Sequence, residues 1–304
     1  MLRRVLYVLT AMGLLLAACA APTPAAVEPT AVFLPNITPA PTQPPPTALA
    51  GCPLRLATTT STDDSGLLAY LLPIFEAKYG CEVDVVAVGS GQAFEIGRAG
   101  DADVLLVHSR KDEDKFIAAG DARERFDVMY NDFILVGPLA DPAGAAGAAS
   151  AADVLIAIAE ANAPFASRGD KSGTHTKELA IWATVGIEPQ FSGYNSLGQK
   201  MGETLLFAEE SSAYTLTDRA TYLAMAVQLP HLSIIFGGRN IEENKDKSLL
   251  NPYGIMAVNP DKHPGVNFAA GMLLVEWCLS PETQALIANF GVGQFGQPLF
   301  YPDA

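Results

Sequence analysis

"CPLRLATTTSTDDSGLLAYLLPIFEAKYGCEVDVVAVG", residues 52–89, is the stretch on which the fold turns. Its opening "LRLATT" and its closing "EVDVVAVG" read as strands. Between them a helix is expected from about Thr62, with Leu67, Leu68, Leu71, Leu72 and Phe75 on one apolar stripe. Asp63 and Asp64 sit in its first turn, where the helix dipole favours carboxylates, and Tyr79-Gly80 ends it. Pro73 inside it predicts a kink. Strand, helix and strand form one crossover unit of a parallel sheet, which sets the two strand starts side by side. Each start is a cysteine, Cys52 and Cys81. In an exported chain a disulfide is the preferred reading, with free buried thiols as the alternative. Cys278 falls on an apolar helix and reads as core.

The alternation continues outward. A short helix is expected near 92–99, a strand at "DVLLVHS", a helix over 111–119 and a strand at "FDVMYNDFILVGP". The loop "LADPAGAAGAAS" then looks like a boundary. A second series follows: the helix "AADVLIAIAEA", the strand end "PFASRGD", helices near 173–185 and 199–211, and the strand "AYTLTD" with another helix. "LSIIFGG" and "NPYGIMAVNP" are further strands, and "FAAGMLLVEWCLSPETQALIANFG" is helical. The expected class is α/β, with two lobes, each a mainly parallel sheet flanked by helices. Two such lobes imply a hinged clamp. Ligands of open α/β sheets sit beyond the carboxyl ends of strands.

The N-terminus reads differently. Arg3 and Arg4 precede the apolar "VLYVLTAMGLLLAA", a signal peptide over residues 1–18 that is too short to span a bilayer comfortably. Leu16-Ala17-Ala18-Cys19 resembles a bacterial lipobox, which makes Cys19 the lipidated first residue; an ordinary secretory signal is the alternative. Residues 19–50 form a tether rich in Pro, Ala and Thr, with no capacity for a core. The sequon at Asn36 carries no meaning in such a protein. The expected location is extracytoplasmic, anchored to the cell membrane by lipid. The formal charge is −14, near −16 once Arg3 and Arg4 are removed, and no basic stripe is visible. Nucleic acid is therefore excluded as a partner, and any anion site must be local.

Three strand ends carry chemistry. Thr58, Thr59, Thr60, Ser61 and Thr62 lie between the first strand and its helix, more hydroxyls than one N-cap needs. Exposed amides with hydroxyl donors suit an oxyanion. Ser90, between Gly89 and Gly91, offers the same on a smaller scale. "FASRGDKSGTHTKE", residues 165–178, adds Arg168 at a strand end, with Asp170, Ser172 and Thr174 around a helix start whose Leu179, Ile181 and Trp182 point inward. A guanidinium there gives bidentate, charged hydrogen bonds. The plainer alternative is an Arg168–Asp170 surface pair with Ser172 as a cap. An enzymatic reading makes Ser172 a nucleophile and His175 its base, but no orienting third group or G-x-S-x-G elbow appears. His108, His175, His231 and His263 lack ligand spacing, so no metal site is expected.

These residues resemble a known family. "TTTSTDDSGLL", "GDADVLLVHS", "VMYNDFILVGP", "SRGDKSGTHTKE", "MGETL", "AYTLTDRATYL" and "NPYGIMAVNP" look like the tungstate-binding component of bacterial tungstate ABC importers. That component is a branch of the type II periplasmic binding proteins, and the likeness covers nearly all of residues 54–301. It implies a monomer that captures a tetrahedral oxyanion between two lobes and hands it to a permease and its ATPase, with no cofactor and no catalysis. It implies that Thr58 to Ser61 and Arg168 with its following hydroxyls contact the anion, with Ser90, Tyr214 and Thr215 as further candidates. The lobes are expected at 51–136 with 254–304, and at 137–253. Ala220 departs from the glycine expected in "TDRATYL". Molybdate matches tungstate in charge and shape, so the sequence leaves the two together. Phosphate and sulfate binders of the same fold are the alternatives. Phosphate keeps a proton near neutral pH and needs an acceptor, such as Asp63 or Asp64 aimed inward.

Overall fold

The computed structural model describes residues 52–304. The expected signal peptide, lipidated Cys19 and tether lie outside the described residues.

The opening stretch folds as β1 (Cys52–Thr59), α1 (Thr60–Asp64), α2 (Leu67–Tyr79) and β2 (Cys81–Val88). The single expected helix is therefore two. Gly66 takes a left-handed φ of 80° between them, which breaks the ladder and turns α2 onto the sheet. Next come α3 (Ser90–Ala99), β3 (Val104–Val107), α4 (Arg110–Ala118) and the long β4 (Phe126–Pro138). The second series is α5 (Ala151–Glu160), β5 (Phe165–Ser167), α6 (Gly173–Thr184), β6 (Tyr194–Ser196), α7 (Met201–Ser211), β7 (Thr215–Asp218), α8 (Arg219–Met225) and β8 (Leu232–Phe236). β9 (Leu250–Ala257), α9 (Phe268–Leu279), α10 (Pro281–Asn289), α11 (Val292–Phe295) and β10 (Tyr301–Pro302) complete it. β6 and β10 are too short to carry a visible pattern.

The class is α/β, but the main sheet is mixed rather than mainly parallel. β1 pairs in parallel with β2 and β3, in the register Cys52↔Cys81, and those two cysteines are joined as a disulfide. Cys278 is free and buried. β9 then lies antiparallel between β3 and β4. β3 and β4 run the same way, as the alternation requires, yet a strand from far down the chain separates them. Local periodicity carries no trace of such a return. β4 changes partners along its length: Phe126–Asp132 pair with β9, and from Phe133 onward it pairs with β7 and β8, both antiparallel. β5 and β6 form a small parallel sheet, tied to the main one by backbone bonds from the Ala166 N–H to the Tyr214 carbonyl and from the Tyr214 N–H to the Pro164 carbonyl.

Strand alternation fills a core on each face of the sheet. Leu54, Leu56, Val104 and Leu106 meet α2 and α9, while Ala57, Leu105 and Val107 meet Phe94 of α3 and Phe116 of α4. Further along β4, Phe133 and Leu135 pack on α5 and α6, and Ile134 and Val136 on α7. One helix departs from its expected face. Leu179 is exposed, whereas Glu178 is buried and accepts from the Ser167 hydroxyl at 2.6 Å, the Tyr194 hydroxyl at 2.8 Å and Trp182 Nε1 at 3.2 Å. Polar neighbours in β5 and β6 made a carboxylate the better fit inside.

Candidate functional site

The carboxyl ends of β1, β2 and β5 each run into a helix start, and those starts face one another. An added Cβ at Gly173, the first residue of α6, would lie 3.2 Å from Ser90 Oγ and 3.1 Å from the His108 ring. Arg168 Nη2 reaches Thr60 Oγ1 at 3.4 Å, and Thr221 Oγ1 reaches the Ser61 carbonyl at 3.5 Å. Beside them opens a cleft of about 810 Å³, lined by Thr60, Gly89, Gly91, Arg168, Asp170 and Lys200 among others. Thr58, Thr59, Thr60, Ser61, Ser90, Arg168, Ser172 and Thr174 are all under 5% exposed.

Burial alone does not make them equivalent. Ser90 Oγ, Thr174 Oγ1 and Arg168 Nε are buried with no hydrogen-bond partner among the described residues. An unpaired buried polar group costs about 1–3 kcal/mol, so three together mark a place built for something else to bind. The first amides of α3 and α6 add donors that no helix can satisfy internally. Ser172 caps α6, its oxygen accepting the His175 N–H at 3.3 Å, which leaves the hydroxyl proton free.

Other expectations change. The Thr58 hydroxyl donates to the Leu106 carbonyl at 2.7 Å, so it braces β1 against β3 and has no proton for a ligand. Tyr214 does not come to the site. Its hydroxyl donates to Asp141 Oδ1 at 2.7 Å and accepts the Ala143 N–H at 3.0 Å, at the opposite end of β7 from Thr221. Thr215, the next residue, is buried at that same end and only grazes the Leu216 carbonyl, at 3.4 Å. A strand's two ends look alike in sequence when its direction is unknown. The Arg168–Asp170 pair is present at 2.5 Å, with Arg168 buried and Asp170 partly exposed at the cleft, rather than lying on the open surface.

The carboxylates nearest the site already have donors. Asp170 takes Arg168 on Oδ2 and the Ser172 N–H on Oδ1, while Asp63 and Asp64 face solvent. Asp218, whose burial raises its pKa to about 6, accepts the Thr221 N–H at 2.9 Å and the Thr221 hydroxyl at 2.8 Å. The buried side-chain atoms left unpartnered here, Ser90 Oγ, Thr174 Oγ1 and Arg168 Nε, can all donate. His175 is no base for Ser172: its Nδ1 accepts the Lys171 N–H at 2.9 Å. Among the described residues no group of three His, Cys, Asp or Glu side chains could hold a metal ion.

Sequence reasoning missed His108, which is buried at the end of β3 against Thr59 and Ser61. The strand-end rule that selects Thr59, Ser90 and Arg168 selects it too, once applied to β3.

Known proteins resemble this chain along most of its length. Residues 40–282 match the family described as the PBP superfamily domain. The tungstate-binding protein TupA of Peptoclostridium acidaminophilum is 50% identical over 251 residues, covering 82% of this chain and 85% of that one. The crystal structure of the tungstate ABC transporter from Geobacter sulfurreducens is 51% identical, covers 78% of this chain and 98% of its own, and superposes with a TM-score of 0.71. The tungstate-binding protein TupA from Desulfovibrio alaskensis is 41% identical, covers 83% and 99%, and has a TM-score of 0.69.

Proposed function

The chain belongs to the PBP superfamily, and on that premise we propose that it is the solute-binding protein of an ABC importer, capturing tungstate or molybdate between two lobes. The observation that carries this is the trio of buried, unpartnered donors, Arg168 Nε, Ser90 Oγ and Thr174 Oγ1, beside the Asp170 and Asp218 carboxylates that already have donors. A fully deprotonated tetrahedral dianion fits a site of donors. Phosphate, which brings a proton near neutral pH, does not. Thr60, Ser61 and Ser172 complete the proposed contact set, with Thr59 directly behind them, and the tungstate-binding relatives support the ligand class.

The lobes in this reading are 51–136 with 254–304, and 137–253. β4 changes partners between Asp132 and Phe133, a few residues before the first of these boundaries, which supports a division in that part of the strand. The protein binds as a monomer and delivers its anion to a permease driven by an ATPase, without a cofactor and without chemistry on the anion. It works outside the cytoplasm, held to the membrane by lipid on Cys19; Cys19→Ala should release it in soluble form, and unchanged membrane association would refute the anchor.

A thermal-shift panel with tungstate, molybdate, sulfate and phosphate tests the ligand. An anion at a thousand times its dissociation constant adds about 4 kcal/mol to stability. Tungstate and molybdate should raise the melting temperature and phosphate should not; equal stabilisation by phosphate would overturn the reading.

A further inference from the structure

His108 sits behind the Thr59–Ser61 hydroxyls, and the groups around it fix where its proton lies. Its Nδ1 is 2.9 Å from Asn251 Oδ1. Asn251 Nδ2, at the other end of that amide, faces Asn131 Oδ1 at 2.7 Å and the Tyr253 hydroxyl oxygen at 3.2 Å. An oxygen therefore faces Nδ1, and Nδ1 carries the hydrogen. Burial pushes the His108 pKa down to about 4, so the ring is neutral near pH 7 and Nε2 is a bare acceptor.

Two hydroxyls lie within reach of that one lone pair, Thr59 Oγ1 at 3.1 Å and Ser61 Oγ at 3.3 Å. Thr59 Oγ1 also stands 2.7 Å from Thr62 Oγ1 and 3.2 Å from Ser61 Oγ. Each hydroxyl has a single proton. Nε2 lies nearer Thr59 than Ser61, and if Thr59 gives it its proton, the Thr59 oxygen is free to accept from Thr62 at 2.7 Å. Ser61 is left with only long contacts, to an oxygen and a nitrogen that both already have a donor.

We propose that His108 is a positioning residue of the anion site: as the Nδ1–H tautomer it takes the Thr59 proton on Nε2 and so leaves the Ser61 proton for the anion. It rests on the oxyanion reading above for what Ser61 contacts, but the tautomer does not depend on it. Thr59 is in this account a relay and not a contact. The same arrangement covers the imidazole lone pair, an acceptor that would otherwise welcome a protonated oxyanion.

The test combines spectroscopy with titration of sodium tungstate into the whole protein. Nitrogen NMR of histidine-labelled wild type should show His108 with a protonated Nδ1 and a bare Nε2; the reverse tautomer would overturn the proposal. His108→Phe keeps the ring but removes the acceptor, and should weaken tungstate binding about tenfold, the value of one neutral hydrogen bond. His108→Gln restores an acceptor oxygen and should recover binding to within about threefold. In a Ser61→Ala background His108→Phe should cost little more, because the group it positions is gone. Equal losses in the Phe and Gln variants, or full additivity with Ser61→Ala, would make His108 merely structural. If wild type binds no tungstate, the oxyanion reading fails, and the tautomer still decides the arrangement of His108.

Discussion

Arg168 and Thr58 look alike as candidates in the sequence, and their hydrogen bonds separate them. Arg168 keeps Nε unpartnered, while Nη2 is shared between Asp170 and Thr60. Charged hydrogen bonds contribute roughly 1.5–3 kcal/mol, and removing the guanidinium also leaves the Asp170 carboxylate facing an anion. Arg168→Ala should therefore weaken tungstate binding by about a hundredfold or more, and Arg168→Lys should recover only part, because an ammonium lacks the planar fork. Ser90→Ala and Thr174→Ala should each cost about tenfold. Thr58→Val should leave affinity within about twofold and lower stability by ~1 kcal/mol, since its hydroxyl serves Leu106. Calorimetric titration with chemical denaturation of the same variants checks the contrast; a large affinity loss at Thr58 with Ser90 silent would reverse the assignment. Residue types at strand ends were legible because helix starts need donors. Which hydroxyl is already engaged was not, since Leu106 is a partner from another strand.

At the scale of elements, α6 shows how far periodicity reaches. Its start was legible from Ser172 and its length from Ile181 and Trp182, but Glu178 lies on the buried face. Burial raises the Glu178 pKa to about 7, against 4.5 in an unfolded chain. A carboxyl that holds its proton more tightly when folded contributes stability that is full below about pH 4.5 and is lost as pH rises through about 7. The stability of wild type relative to Glu178→Gln should therefore fall across that window. Urea denaturation of both proteins at intervals from pH 4.5 to 8 measures it, and a pH-independent difference would contradict the account. The first helix teaches the same lesson. Its apolar stripe was readable from Leu67 onward, while the break at Gly66 depends on a left-handed backbone that hydrophobic spacing does not report.

Across the whole molecule, the direction of β1 to β4 follows from alternation, because a helix between strands returns the chain the same way. The insertion of β9 between β3 and β4 does not, because it joins residues separated by more than a hundred positions. That insertion fixes Asn251 and Tyr253 behind His108, so the least legible part of the fold also supports the least legible part of the site. Where β4 changes partners, Asp132 is held by Arg219 through bonds of 2.7 and 2.6 Å, and both side chains are buried. Breaking one partner of such a pair typically costs 3–5 kcal/mol, which makes this crossing a firm seam between the two parts of the sheet. The central claim is that helix starts from both sides of that seam bind one deprotonated oxyanion with donors alone. Isothermal titration of tungstate into the wild-type protein near pH 7.5, repeated in excess phosphate, tests it most directly. The account predicts saturable binding of one anion per chain that phosphate leaves unchanged; no binding, or displacement by phosphate, would contradict it.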